Sequence, residues 1–319
     1  KYRTRKAFLR DFTVLHMMVI TLKCNHKCEY CQVSSEKEDA YKYDMSPEVA
    51  RKVIDNIFMA PSKHLKIEFQ GGEPLLNWET LTAAVLYAKQ LNRTAEKKLS
   101  FVVCSNIFSL NDEHLKFFIE HDIYISTSLD GPKDLHDSHR IMRTSTSSYD
   151  KFVKNLQHAR EILGHDKVAA LMTASSDSLN RIEEIIDEYI KLEFNGIFFR
   201  CLNPYGDAYK NKLYYTADRF LEMYKKGIEY IIKINKQKKN LVLNNKKDKL
   251  LELVMEEYLS KEDYKKQIDL INEDLNACQN KINELQSNKK DKNYIENKFN
   301  EIRNVLEKCL DDSKCYCDV

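Results

Sequence analysis

Val19-Ile20-Thr21-Leu22-Lys23-Cys24-Asn25-His26-Lys27-Cys28-Glu29-Tyr30-Cys31-Gln32 carries the most information in this chain. A β-branched apolar run ends at Leu22, and a loop with three cysteines spaced C-x3-C-x2-C follows at once. Three thiolates on one short loop can ligate three irons of a [4Fe-4S] cluster and leave the fourth iron open to a bidentate small molecule. A structural zinc site closes all four positions, and here no fourth partner is obvious, although His26 lies in the loop. Three free thiols clustered without a metal are the bland competitor.

Working outward, short β-branched and apolar runs alternate with longer helical patterns. Strands are expected at residues 16–21, 65–70, 100–104, 123–128, 167–172 and 196–200. Helices are expected at 47–59, 78–92, 111–120, 149–163 and 179–192. Repeated βα units with buried strands imply an α/β fold, a parallel sheet with helices outside, either doubly wound or curved towards a barrel. In such folds ligands sit at the C-terminal ends of the strands. Residues just after each strand are therefore where chemistry should be sought.

At 319 residues and 43% hydrophobic, the chain can bury a sizeable core. The 51 Lys+Arg nearly cancel 49 Asp+Glu, so a net charge of +2 leaves no footprint for nucleic acid. The longest apolar run, residues 14–22, is too short to span a bilayer, and Lys23 stands where a signal-cleavage site would be. The protein is expected to be cytoplasmic, with no membrane partner. Of nine cysteines, six fall in two clusters of three, and in such a compartment clustering suggests metal or redox chemistry before disulfides. The chain starts at Lys1 rather than Met, which leaves open an upstream segment.

The later strand ends add polar groups. Gly71-Gly72-Glu73-Pro74 follows the second strand; two glycines let a backbone edge approach a ligand, and the Glu can accept a hydrogen bond from an ammonium. Taken alone it is also an ordinary strand-to-helix turn. Cys104-Ser105-Asn106 follows the third strand, Ser128-Leu129-Asp130-Gly131-Pro132 the fourth, and Arg200-Cys201-Leu202-Asn203 closes the sixth. Arg200 either points into the barrel or balances a carboxylate in its wall. Cys104 and Cys201 each sit at a strand end, either as thiols able to donate a hydrogen atom or proton or as small buried hydrophobes.

Taken together, these segments resemble the radical S-adenosylmethionine (SAM) superfamily. The resemblance implies a partial (β/α)6, TIM-like barrel in which Cys24, Cys28 and Cys31 hold a [4Fe-4S] cluster that reductively cleaves SAM to methionine and a 5'-deoxyadenosyl radical. It further implies that Tyr30 leans on the adenine, that Gly71, Gly72, Glu73 and Pro74 hold the amino group, and that Ser105 and Asn106 lie near the ribose or methionine. Relatives often have Thr-Asn-Gly there, and Ile107 replaces the glycine. Residues Ser128 and Asp130, with His136-Asp137-Ser138-His139-Arg140, resemble the peptide-maturase branch, in which Arg140 first and Arg143 second would take the SAM carboxylate. With the segment around Arg200, the pattern is most similar to the maturase of the His-Xaa-Ser peptide system. That resemblance implies a peptide or protein substrate and an electron-donor reductase. A non-catalytic iron-sulfur or zinc protein is the alternative reading.

The last third departs from that branch. After Gly227 there is neither glycine nor proline, so this tail is expected to be mostly helix or disordered. Ile268, Ile271, Leu275, Cys278, Ile282 and Leu285 repeat at spacings of three and four, and Ile295, Phe299, Ile302 and Leu306 resume the seam. A helical hairpin and one long helix with a slipped register both explain the break. Cys309, Cys315 and Cys317 lack the spacing of the auxiliary-cluster (SPASM) region. The expected organisation is a lead-in at 1–13, a barrel at 14–210 and a helical, coiled-coil-like extension at 211–319 that docks a partner or a second copy.

Overall fold

The computed structural model describes residues 13–144, 147–203, 205–255, 265–273, 276–277 and 280. The chain divides between Tyr215 and Thr216 into two compact units. In the first, six strands follow one another in space as in sequence, and every neighbouring pair is parallel. They are β1 (Leu15–Thr21), β2 (His64–Gly71), β3 (Lys98–Cys104), β4 (Ile123–Ser128), β5 (Val168–Thr173) and β6 (Phe198–Arg200). Between them run α1 (Pro47–Phe58), α2 (Trp78–Ala95), α3 (Asp112–Glu120), α4 (Lys133–His139), α5 (Ser148–Leu163) and α6 (Ile182–Lys191), and the short α7 (Asp207–Lys210) follows β6.

The burial pattern of β2 shows why the sheet curves around a lumen. Leu65, Ile67 and Phe69 are fully buried, while Lys66, Glu68 and Gln70 alternate with them on the other face. A parallel sheet covered on both faces would read as one apolar run. Here one face packs under helices and the other lines open space. All six strands contribute to a single cavity of about 720 Å³, from Met17 on β1 to Arg200 on β6, so the sheet is an open six-stranded barrel.

Local chemistry sets the helix boundaries. Ser46 accepts from Val49 N–H and Pro47 opens α1, whose Ala50, Ile54 and Ile57 are buried at helical spacing. Asn111 caps α3 and Ser147 caps α5 in the same way. The five sequence-expected helices match α1, α2, α3, α5 and α6 with small shifts at the ends. The seven-residue α4 was not foreseen: too short for a periodic signal, it nevertheless buries Leu135, His136 and His139.

The second unit contains α8 (Ala217–Met255), a 39-residue helix, and a further helical stretch at 265–273. Ile268 and Ile271 of the expected seam fall in that stretch. Leu275, Cys278, the rest of the seam, the expected hairpin and Cys309, Cys315 and Cys317 lie outside the described residues. Among the described residues no helix is long and apolar enough to cross a membrane.

Candidate active site

The cysteine loop leaves β1 at the C-terminal mouth of the barrel and is tied down by main-chain bonds. Cys24 N–H donates to Glu36 O (2.9 Å), Lys27 N–H to Ile141 O (2.7 Å) and Glu29 N–H to His139 O (3.0 Å). At its base, Thr21 Oγ1 donates to Asp44 Oδ1 (2.6 Å) and the buried Lys23 ammonium meets Asp44 Oδ2 at 2.7 Å. Cys24, Cys28 and Cys31 are free thiols lining the same cavity. His26 N–H and Asn106 Nδ2 both donate to Cys24 Sγ, at 3.4 and 3.7 Å.

Burial pushes the Cys24 thiol well up, and the neighbouring Cys28 and Glu73 add to the rise. Burial likewise raises Cys28, to about 11, although the Arg140 guanidinium works against it. These sulfurs keep their protons until a cation compensates the lost hydration, which is how thiol-metal sites couple ligand deprotonation to binding. Among the described residues no three His, Cys, Asp or Glu side chains converge to hold a single ion. In a cube each thiolate takes a different iron, and three free thiols of one loop that line one cavity are a donor set of that kind.

Gly71 and Gly72 line the cavity too, but a second constraint makes them glycines. A Cβ on Gly71, at φ +144°, would lie 2.0 Å from Thr21 O, and one on Gly72 would lie 2.1 Å from Lys23 O. The strand end is sealed onto the root of the cysteine loop, with Gly72 N–H donating to Thr21 O (2.8 Å) and Glu73 N–H to Lys23 O (2.7 Å). Glu73 and Pro74 sit behind this wall. The Glu73 carboxylate accepts from Leu75 N–H (3.1 Å) and Asn106 N–H (2.8 Å), and burial pushes its pKa up to about 7.

Asn106 reaches back to the loop, donating to Asn25 Oδ1 at 2.7 Å. The next residue, Ile107, adopts φ +55° although it is β-branched and fully buried. A left-handed L-residue costs about 1–2 kcal/mol, which burial of an isoleucine side chain, about 1.5–3 kcal/mol, offsets. Ser105 Oγ accepts from Ile107 N–H (2.8 Å), and Asn155 Nδ2 donates to Ile107 O (2.6 Å). The turn thus keeps a glycine-like backbone without the glycine.

Tyr30, Asp130 and Arg140 form a buried network: the Tyr30 hydroxyl donates to Asp130 Oδ2 and accepts from Arg140 Nη1 at 2.6 Å. Tyr30 and Arg140 line the cavity with Ser105, Asn106, Ser128 and Arg200, and Asp130 stands behind them. Arg143 is outside the lining; it donates to Cys24 O (3.0 Å) and Ser35 O (2.9 Å). Arg200 donates to Gln32 Oε1 at 2.5 Å. Sequence reasoning missed Glu68, Gln70 and Gln32. Glu68 accepts from Gln70 (2.6 Å) and from the Cys104 thiol (3.0 Å) on the cavity wall, and the period-two alternation of β2 was the signal that exposes such positions.

An open parallel α/β barrel with a cysteine triad at its mouth defines a class of metalloenzyme. Residues 18–189, more than half of the chain, match the family model of the radical SAM superfamily, and the chain belongs to that superfamily. The family works with a [4Fe-4S] cluster and SAM. The radical SAM cyclopropyl synthase TigE of Paramaledivibacter caminithermalis is 28% identical over 58% of this chain and 43% of its own length. A cysteine-type anaerobic sulfatase-maturating enzyme of Clostridium novyi is 25% identical over 60% of this chain and 52% of its own. The chain thus spans about half the length of these curated relatives. The solved structure of native anSMEcpe with bound AdoMet and Cp18Cys peptide shares the fold, with a TM-score of 0.58 at 18% identity over 68% of this chain and 58% of that one.

Proposed function

We propose that this chain is a radical SAM enzyme that modifies a peptide or protein. The observation that carries the reading is one cavity, shared by three free cysteines on its mouth side and by the inner faces of all six strands on the other. Cys24, Cys28 and Cys31 would hold three irons. Bound there, the cluster and SAM supply one-electron cleavage and a carbon radical that takes a hydrogen atom from the substrate. Gly71, Gly72, Ser105, Asn106, Ser128 and Arg200 offer backbone and side-chain polar groups to SAM from the cavity wall. Arg140, held by Tyr30, offers a guanidinium suited to a carboxylate. Glu73, Pro74, Asp130 and Arg143 act from behind, fixing the groups that face the cavity. The barrel walls limit water at the reacting centre.

A peptide substrate is favoured because the relatives include an enzyme that matures sulfatases and a structure holding a peptide; the motifs also resemble the His-Xaa-Ser system, and a reductase would deliver the electron. Anaerobic reconstitution with iron and sulfide should give charge-transfer absorption, and reduction with dithionite in the presence of SAM should yield 5'-deoxyadenosine. If the Cys24→Ala, Cys28→Ala, Cys31→Ala triple variant still makes 5'-deoxyadenosine, the proposal fails. A neighbouring short reading frame with repeated His-Xaa-Ser units would settle the substrate class.

A further inference from the structure

The second half of the cysteine loop is gripped by residues 200–203 and 205–211, which run on from the last residue of β6 and lie beyond the stretch that matches the family. Asn211 Nδ2 donates to Glu29 O (2.8 Å), and Asp207 N–H donates to Cys31 O (3.1 Å). Arg200 Nη2 and Asn203 Nδ2 both donate to Gln32 Oε1, at 2.5 and 2.9 Å. Gly206 passes so close that a Cβ there would lie 2.6 Å from Cys31 O, and its φ is +59°. Beneath the loop, Leu202, Ala208 and Leu213 bury the Tyr30 ring, and Cys28 packs against the same cluster.

All these bonds end on loop carbonyls or on the Gln32 amide, and none uses a cysteine sulfur. We propose that residues 200–203 and 205–211 are a clasp that positions the Cys28–Cys31 half of the loop before any cluster binds, with Gly206 and Asn211 as its positioning residues. A loop ordered in advance spends no further conformational entropy when its ligands engage. The inference rests on the reading of Cys28 and Cys31 as cluster ligands, but its test does not need the cluster.

Amide hydrogen exchange of the full, cluster-free chain, followed by mass spectrometry, reads the loop directly. In Asn211→Asp, which keeps the shape but removes the donor, peptides covering residues 27–34 should exchange about fivefold faster, as for one lost hydrogen bond. In Gly206→Ala they should exchange about tenfold faster. Peptides from β2 to β4 should be unchanged in both. After reconstitution, the same variants should lose iron to a chelator faster than the parent chain. Should Gly206→Ala accelerate exchange throughout the unit, Asn211→Asp decides by itself. Unchanged loop exchange in Asn211→Asp, or a parent loop already exchanging at the rate of unstructured chain, overturns the clasp. A parent chain that takes up no cluster overturns the functional proposal and leaves this comparison standing.

Discussion

The two halves of the cysteine loop are held by different physics. Around Cys24, the support comes from the ends of β2 and β3 and from Arg143: Gly72 and Glu73 donate backbone N–H groups to Thr21 and Lys23, Asn106 reaches Asn25, and Arg143 reaches Cys24 O. Around Cys31, the support is a turn, the side chains of Arg200, Asn203 and Asn211, and a small apolar cluster. The first half leaves no room for a side chain, so its residue types are fixed by sterics and stand out as motifs. The second has one such position, Gly206, where a Cβ would lie 2.6 Å from Cys31 O, and a lone glycine after a short strand stands out far less than the Gly71-Gly72 pair.

The largest effect should come from closing the gap in the first half. In Gly72→Ala the new Cβ meets backbone at Lys23 O and, at 2.6 Å, at Leu22 O, neither of which can rotate away. Overpacking of this kind should cost about 3 kcal/mol or more, read as a drop in the urea midpoint at constant slope. A loss under about 1 kcal/mol would erase the contrast between the halves.

Next comes the pH dependence that Glu73 builds into the same half. Its folded pKa is raised by burial from the ordinary 4.5 to about 7. Between those values the folded chain holds a proton that the unfolded chain has released, so stability falls as pH rises through the window and levels off above it. The fall contributes up to about 3 kcal/mol. Urea titrations from pH 5 to 8 should show this slope in the parent chain and its loss in Glu73→Gln; equal slopes would place the charge elsewhere.

Arg143→Ala removes two charged donors from the carbonyls of Cys24 and Ser35 and should cost about 2 kcal/mol, with Arg143→Lys recovering part of it. Were Arg143 a SAM ligand instead, calorimetry of the reconstituted enzyme would show weaker SAM binding with little change in stability. The smallest effect belongs to the rim of the second half. Gln32→Ala removes an exposed side chain that only tethers Arg200 and Asn203 and should stay within about 0.5 kcal/mol by thermal melting.

The sheet was legible wherever apolar residues alternate or cluster, because a strand under helices must bury one face. Each expected strand overlaps an observed one, with β6 shortened to Phe198–Arg200. α4 escaped because six polar residues around a single leucine carry no periodicity, and two of its three buried side chains are histidines. Of the site, the cavity-facing residues that follow strands were legible, whereas Glu68 and Gln70 inside β2 and Gln32 on the loop were not. Nor was the division of labour: Arg140 and Arg143 are three residues apart and equally basic, yet one lines the cavity and the other holds the loop.

The sequence by itself determined the parallel α/β plan, the cysteine triad and its position after the first strand, since these follow from periodicity and from the ligand chemistry of sulfur. Only the tertiary structure decided that Gly71 and Gly72 exist to let two backbones touch, that Ile107 holds a left-handed turn, and that Gly206 and Asp207 press on Cys31 O. Each of these depends on which atoms lie opposite across a gap of a few ångströms, between segments up to about 180 residues apart in the chain, a relation fixed by packing geometry rather than by local composition.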